Sequence, residues 1–194
     1  NLLRVTHRTR KGVGVRSRAI LRELIAFPTV SVEPNRALID YCADLLTACG
    51  ARVEIIPDEA AGKADLFATL GPPDRPGVLL SGHTDVVPVE GQAWSKPPFE
   101  LTEEAGKLFG RGTRDMKGFV AAALACAESV DPRTLKTPLH FALSYDEEIG
   151  CVGVHSLLDM LKPAAIKPLL CIVGEPTQLQ VATGHKGKLA ARIT

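Results

Sequence analysis

The sequence predicts an α/β fold, a three-layer sandwich with helices on both faces of a central, largely parallel mixed sheet. Two observations predict it. Segments with helical spacing of apolar residues alternate along the chain with short, nearly continuous apolar runs of the kind buried in parallel sheets. Three of those runs also pass straight into acidic or imidazole side chains, as strands do where ligands sit beyond their carboxyl ends.

In order, Arg16 to Phe27 places Ile20, Leu21, Leu24 and Ile25 at helical spacing, and Pro28 ends the helix. A second helix fits Asn35 to Cys49, with Leu38, Ile39, Cys42, Leu45 and Leu46 on one face and Gly50 as its stop. Arg52 to Ile56 alternates like a strand, and Asp65 to Leu70 is another. The turn at Gly71-Pro72-Pro73 leads into the apolar run Gly77 to Ser81. Glu100 to Thr102 and Leu108 to Phe109 read as hairpin arms turning at Glu104-Ala105-Gly106-Lys107. Lys117 to Ser129 is Ala-rich and helical, Leu139 to Ser144 a strand, Val154 to Leu161 a helix, and Leu169 to Val173 a very apolar strand.

The bulk composition is that of a soluble globular protein, with 45% hydrophobic and 23% charged residues. Lys plus Arg number 23 against 22 Asp plus Glu, a net charge of +1, which argues against nucleic acid or a membrane surface as partner. The five cysteines are irregularly spaced with no CxxC pair, so they read as small core residues of a reducing, cytoplasmic compartment. No apolar run is long enough to span a bilayer. Asn1 to Val15 is polar and basic without the apolar core of a secretory signal, and reads as a leader rather than part of the fold.

The chemistry lies where apolar strands end. Leu79-Leu80 leads to Gly82-His83-Thr84-Asp85, Leu139 to Ser144 leads to Asp146-Glu147-Glu148, and Leu169 to Val173 leads to Gly174-Glu175-Pro176. A fourth piece, Gly110 to Gly118, puts Asp115 at the start of the Ala-rich helix, where the dipole favours a carboxylate. Each piece alone has an ordinary reading as a turn or a hydrogen-bonded pair. Together they would crowd one imidazole and several carboxylates into one crevice, which only cations stabilise. Such donors suit zinc, cobalt or manganese, and a two-metal site suits amide hydrolysis.

Ser81 to Pro88, Gly110 to Gly118, Asp146 to Gly150 and Gly174 to Thr177 together resemble the successive signatures of the di-zinc aminoacylase and carboxypeptidase family. The resemblance covers about Arg16 to the end. Ser144 to Cys151 and Thr183 to Gly187 look closest to the branch that deacylates N-acyl amino acids such as N2-acetyl-L-ornithine, an arginine-biosynthetic substrate. It implies a zinc-peptidase-like catalytic domain, two Zn2+ ions per complete chain (Co2+ being an alternative) and a small N-acyl amino acid as substrate. Another deacylase activity, such as a desuccinylase or an aminoacylase, or an inert metal-binding fragment, is the alternative. By the same resemblance, His83 and Glu175 bind one metal, Glu148 the other, and Asp115 bridges them through a segment whose Asp115-Met116 peptide is cis. The catalytic assignments are Glu147 as general base and Asp85 orienting the His83 ring.

The family's second metal takes a further His from near the end of a chain roughly twice this long, and His7, His140, His155 and His185 sit in no matching motif. His140 and His155 are therefore expected to be structural. Residues 16–187 are read as the N-terminal part of the catalytic domain, and 188–194 as the start of an inserted domain that carries dimer contacts. Arg114, where the family has a small residue, is expected to point away from Asp115.

Overall fold

Residues 7–184 and 186–187 are described by the computed structural model of the chain. Along them run α1 (His7–Ala26), α2 (Arg36–Ala48), β1 (Arg52–Asp58), β2 (Lys63–Leu70), β3 (Val78–His83), β4 (Thr102–Glu104), β5 (Lys107–Phe109), α3 (Lys117–Glu128), β6 (Leu139–Ser144), α4 (Val154–Leu161) and β7 (Leu170–Val173). Residues 188–194 and His185 lie outside the described residues.

Five strands form one sheet in the order β1-β2-β6-β3-β7. The β6-β3-β7 half is parallel, with His83 opposite Ser144 and Ser81 opposite Val173. The β1-β2-β6 half is antiparallel. The sheet is therefore mixed, its parallel part confined to the strands that end in candidate site residues. The connection between β1 and β2 is too short for a crossover, which forces that pair to run antiparallel. β4 and β5 form a separate hairpin, turning through Ala105 (φ 49°) and Gly106 (φ 72°), the two positive φ values that a tight two-residue turn requires.

Alternate strand residues face opposite layers. Leu66, Ala68, Phe141 and Leu143 join the main core with α2, α3 and the buried side of α1 (Ile20, Leu24, Ile25). On the other face Leu79 and Ala142 meet Leu157 of α4 in a much thinner layer. Helices on both faces complete the three-layer sandwich. α1 begins at His7, well before Arg16, running back into the stretch read as a leader. Once the buried turns around Ile20 to Ile25 have nucleated a helix, extending it outward costs little.

β7 departs from its sequence pattern. Its residues are apolar, yet Leu170, Ile172 and Val173 are 56%, 43% and 58% exposed. The strand is the edge of the sheet, and no layer covers either face of it among the described residues. No helix among those residues is long and apolar enough to cross a membrane. All five cysteines are unpaired.

Candidate metal centre

The three parallel strands end side by side, so their run-outs meet as their polar sequences imply. His83 closes β3 with its side chain 1% exposed. Its backbone N–H donates to Met116 Sδ at 3.3 Å. Its Nδ1 lies 3.0 Å from the backbone oxygen of Asp85 and 3.3 Å from Asp85 Oδ1. An imidazole held in this way at Nδ1 turns Nε2 outward, toward whatever occupies the crevice.

Carboxylates occupy it. His83 Nε2 is 3.1 Å from Asp115 Oδ1, 3.8 Å from Glu147 Oε2 and 3.8 Å from Glu175 Oε1. His83, Asp115 and Glu175 offer donor atoms within 4.8 Å of one another, and so do His83, Glu147 and Glu148. Donors each about 2 Å from one ion stand roughly 3–4 Å apart, and His83 Nε2 lies at such distances from Asp115 and Glu175. The side chains of Asp115, Glu147 and Glu175 are 47%, 38% and 37% exposed, so the centre opens to solvent.

Asp85 also reaches beyond the His83 ring. Its Oδ2 accepts from Ser31 Oγ at 2.7 Å and from the Glu148 amide at 3.3 Å, while its Oδ1 accepts from the Glu147 amide at 3.0 Å. Ser31 is held by a short parallel bridge between Val30 and Val86, so Asp85 joins three segments.

Charge separates the groups clearly. Burial opposes the charged form of His83, but the neighbouring carboxylates of Asp85, Glu147 and Glu175 outweigh it and raise its pKa from 6.5 to about 9. Burial likewise works against ionised Asp85, yet His83, Ser31 and the Glu147 amide hold it down at about 2. Glu148 and Glu175 are both raised, first by burial and then by the charge of Asp115. A cluster with one imidazolium for five carboxylates is short of positive charge, which a divalent cation would supply.

Asp115 sits two residues before the first residue of α3, and its peptide bond to Met116 is cis. The neighbouring Arg114 is exposed. Gly112 adopts φ +81°, a left-handed conformation that a side chain would strain, as the chain curls ahead of Asp115. Lys117 is 1% exposed and its Nζ donates to the backbone oxygens of Leu24 (3.0 Å) and Phe27 (2.7 Å) at the end of α1. Burial lowers its pKa to about 7. Glu175 follows Gly174, where an added Cβ would fall 1.9 Å from Phe119 Cγ, so only glycine lets β7 run past α3 to this point.

All six residues singled out from the sequence, His83, Asp85, Asp115, Glu147, Glu148 and Glu175, gather at this one place. His140 stays in the sheet, its Nδ1 3.0 Å from Thr69 Oγ1 and its ring stacked on Phe67. His155 is exposed on α4. Sequence reasoning missed Ser31, Lys63 and the anchoring of Lys117. Lys117 lies inside a recognised motif, but a lysine in an apolar-flanked turn carries no sign that it is buried.

Comparison with known proteins bears on the same region. The model of peptidase family M20/M25/M40 matches residues 79–188. The chain is 42% identical over 184 residues to acetylornithine deacetylase of Proteus mirabilis (strain HI4320), covering 90% of this chain and 46% of that protein. It is 41% identical over 180 residues to the enzyme of the same name from Pasteurella multocida (strain Pm70), again spanning 46% of it. The chain thus spans about half the length of the curated relatives it matches. Among solved structures, human carnosine dipeptidase 1 superposes with a TM-score of 0.66 at 28% identity, over 80% of this chain and 37% of that one. An M20 family metallo-carboxypeptidase from Sulfolobus solfataricus, 22% identical, shares the fold with a TM-score of 0.70 over 81% of this chain and 37% of its own.

Proposed function

This chain belongs to peptidase family M20/M25/M40, and on that footing we propose that it is part of an amidohydrolase that removes the acetyl group from N2-acetyl-L-ornithine. The products would be L-ornithine and acetate, a step of arginine biosynthesis in the cytoplasm. The observation that carries the hydrolytic reading is Glu147 Oε2 3.8 Å from His83 Nε2, beside the group of His83, Asp115 and Glu175. The acetyl-ornithine substrate is carried by the names of the relatives.

His83, Asp115 and Glu175 would hold one divalent cation, with Asp115 shared and Glu148 holding a second. When bound, zinc or cobalt supplies Lewis-acid polarisation of the amide carbonyl. The rest falls to the chain. Glu147 takes a proton from the attacking water and delivers it to the leaving amine. Asp85 keeps the His83 ring aimed and, through the amides it accepts from, sets where Glu147 and Glu148 stand. We assign the second-metal histidine, the substrate pocket and the homodimer contacts to the half of the protein beyond this chain. By that division the 194-residue chain alone binds one ion and does not turn over.

The test is metal content and deacetylation of N2-acetyl-L-ornithine by the full-length protein and its Glu147→Ala variant. About two ions per chain are expected in both proteins. The variant is expected to lose roughly 100- to 10,000-fold in kcat. Metal binding with cleavage of other N-acyl amino acids only would move the substrate and keep the mechanism. A protein that binds no metal sinks the proposal.

A further inference from the structure

We infer that Lys63 and Asp146 are a positioning pair, an internal ion pair that fixes the turn from which Glu147 projects. The inference deepens the proposed function and rests on Glu147 being its base. Lys63 Nζ stands 2.6 Å from Asp146 Oδ1 and 2.5 Å from Oδ2, with the two side chains 2% and 10% exposed. The same ammonium lies 5.4 Å from the centroid of the Tyr145 ring. Asp146 Oδ1 accepts a second hydrogen bond, 2.9 Å long, from the Val32 amide.

The backbone explains what the pair is for. Asp146 has φ +53° and Val32 has φ +74°, left-handed conformations that are uncommon for Asp and genuinely unfavourable for a β-branched residue. Such conformations persist only where the surroundings over-determine them. Here the two residues are hydrogen-bonded to each other, and Lys63 holds the carboxylate between them. The Asp146 backbone oxygen also accepts from the Val152 amide at 3.0 Å, closing the far side of the turn. With Asp146 held by its side chain and Glu147 and Glu148 by their amides to Asp85, three successive residues are pinned. Released from Lys63, Asp146 relaxes toward ordinary φ values and carries the Glu147 backbone with it.

An internal ion pair adds little net stability, because desolvating both charges offsets their attraction. What it does supply is a single geometry. Lys63 sits at the first residue of β2 and belongs to neither metal-fitting group, so its effect on the centre passes through the turn.

Amide hydrogen exchange on the full-length protein tests this without using activity. In Lys63→Met, exchange at the Glu147 and Glu148 amides is expected to speed up at least about ten-fold more than at the β2 and β6 amides, which lose only what global stability loses. In Lys63→Met/Asp146→Asn no buried charge is left unpaired, so global stability returns, but turn exchange stays fast. With metal content unchanged, kcat for the N-acyl substrate is expected to fall roughly ten- to a hundred-fold with KM nearly constant. In a Glu147→Ala background the Lys63 substitution is expected to have no further effect on kcat. Equal loss of protection in the turn and the strands, recovery of the turn in the double variant, or no change at all would each overturn the inference. Fast turn exchange in a protein that cleaves no N-acyl amino acid would refute the proposed function and leave the positioning pair standing.

Discussion

β3 and β6 deliver their residues to the centre from inside the protein, whereas β7 delivers Glu175 from an exposed edge. His83 and Asp85 are 2% exposed and bound on several sides, and the turn after β6 hangs from Asp85 and Lys63. The edge strand has its ladder to β3 and the close passage of Gly174 over Phe119. The difference teaches that one half of the centre is preorganised by hydrogen bonds and the other is placed by backbone fit. An arrangement divided this way keeps Glu147 and His83 in register even when the edge yields.

Four substitutions sharpen the comparison. The largest effect is expected at Phe141, which is 1% exposed in β6 beneath the main core. Phe141→Ala should cost about 3–5 kcal/mol, read from urea unfolding. A loss no greater than at the edge would break the contrast.

Next comes Asp85→Asn. It turns an NH2 group toward either the Glu147 amide or the Ser31 hydroxyl and the Glu148 amide, at an expected cost of about 2–3 kcal/mol near neutral pH. Asp85 is held below its ordinary 3.8, at about 2. Its contribution is therefore complete above pH 3.8 and lost as the pH falls through about 2. The gap between wild type and variant should close over that interval. A gap independent of pH would show that the charge is not what the donors hold.

Asp65 works in the opposite sense. It is fully buried, bonded to Ser156 through Oδ2, while its Oδ1 has no hydrogen-bond partner among the described residues. Burial raises its pKa from 3.8 to about 6. A raised acid contributes stability below pH 3.8 and loses it as the pH climbs through about 6. Asp65→Asn is thus expected to stabilise by about 1–2 kcal/mol at pH 7.5, with no gain below pH 3.8, measured as unfolding free energy across that range. Destabilisation at pH 7.5 would contradict it.

The smallest effect is expected at the edge. Ile172, 43% exposed on β7, should cost under about 1 kcal/mol when replaced by Ala. A cost approaching that of Phe141→Ala would mean that β7 is covered in the intact protein.

Much of the site was legible because its residues announce themselves locally. His83, Glu147, Glu148 and Glu175 each follow an apolar run within a few residues, and a strand that ends in polar groups points them at the sheet's carboxyl edge. Asp115 could be found from the glycines before it and the Ala-rich helix after it. Lys63 could not. It meets Asp146 across 83 residues, and nothing in its own neighbourhood distinguishes it from a solvated lysine at a strand's start. Lys117 reaches carbonyls 90 and 93 residues upstream in the same way. The exposure of β7 was hidden for the converse reason, since its apolar sequence reads as buried whatever packs against it.

By itself the sequence determined the alternation of helices and strands, the α/β class, and the set of donors that the parallel strands carry to their ends. Those features follow from side-chain periodicity and short-range backbone preference, which act over a few residues. Only the tertiary structure decided the antiparallel pairing of β2 with β6, the edge position of β7, the several partners of Asp85, and the pairing of Lys63 with Asp146. These depend on which distant segments come together, and on burial that turns an ordinary charge into one needing a fixed partner.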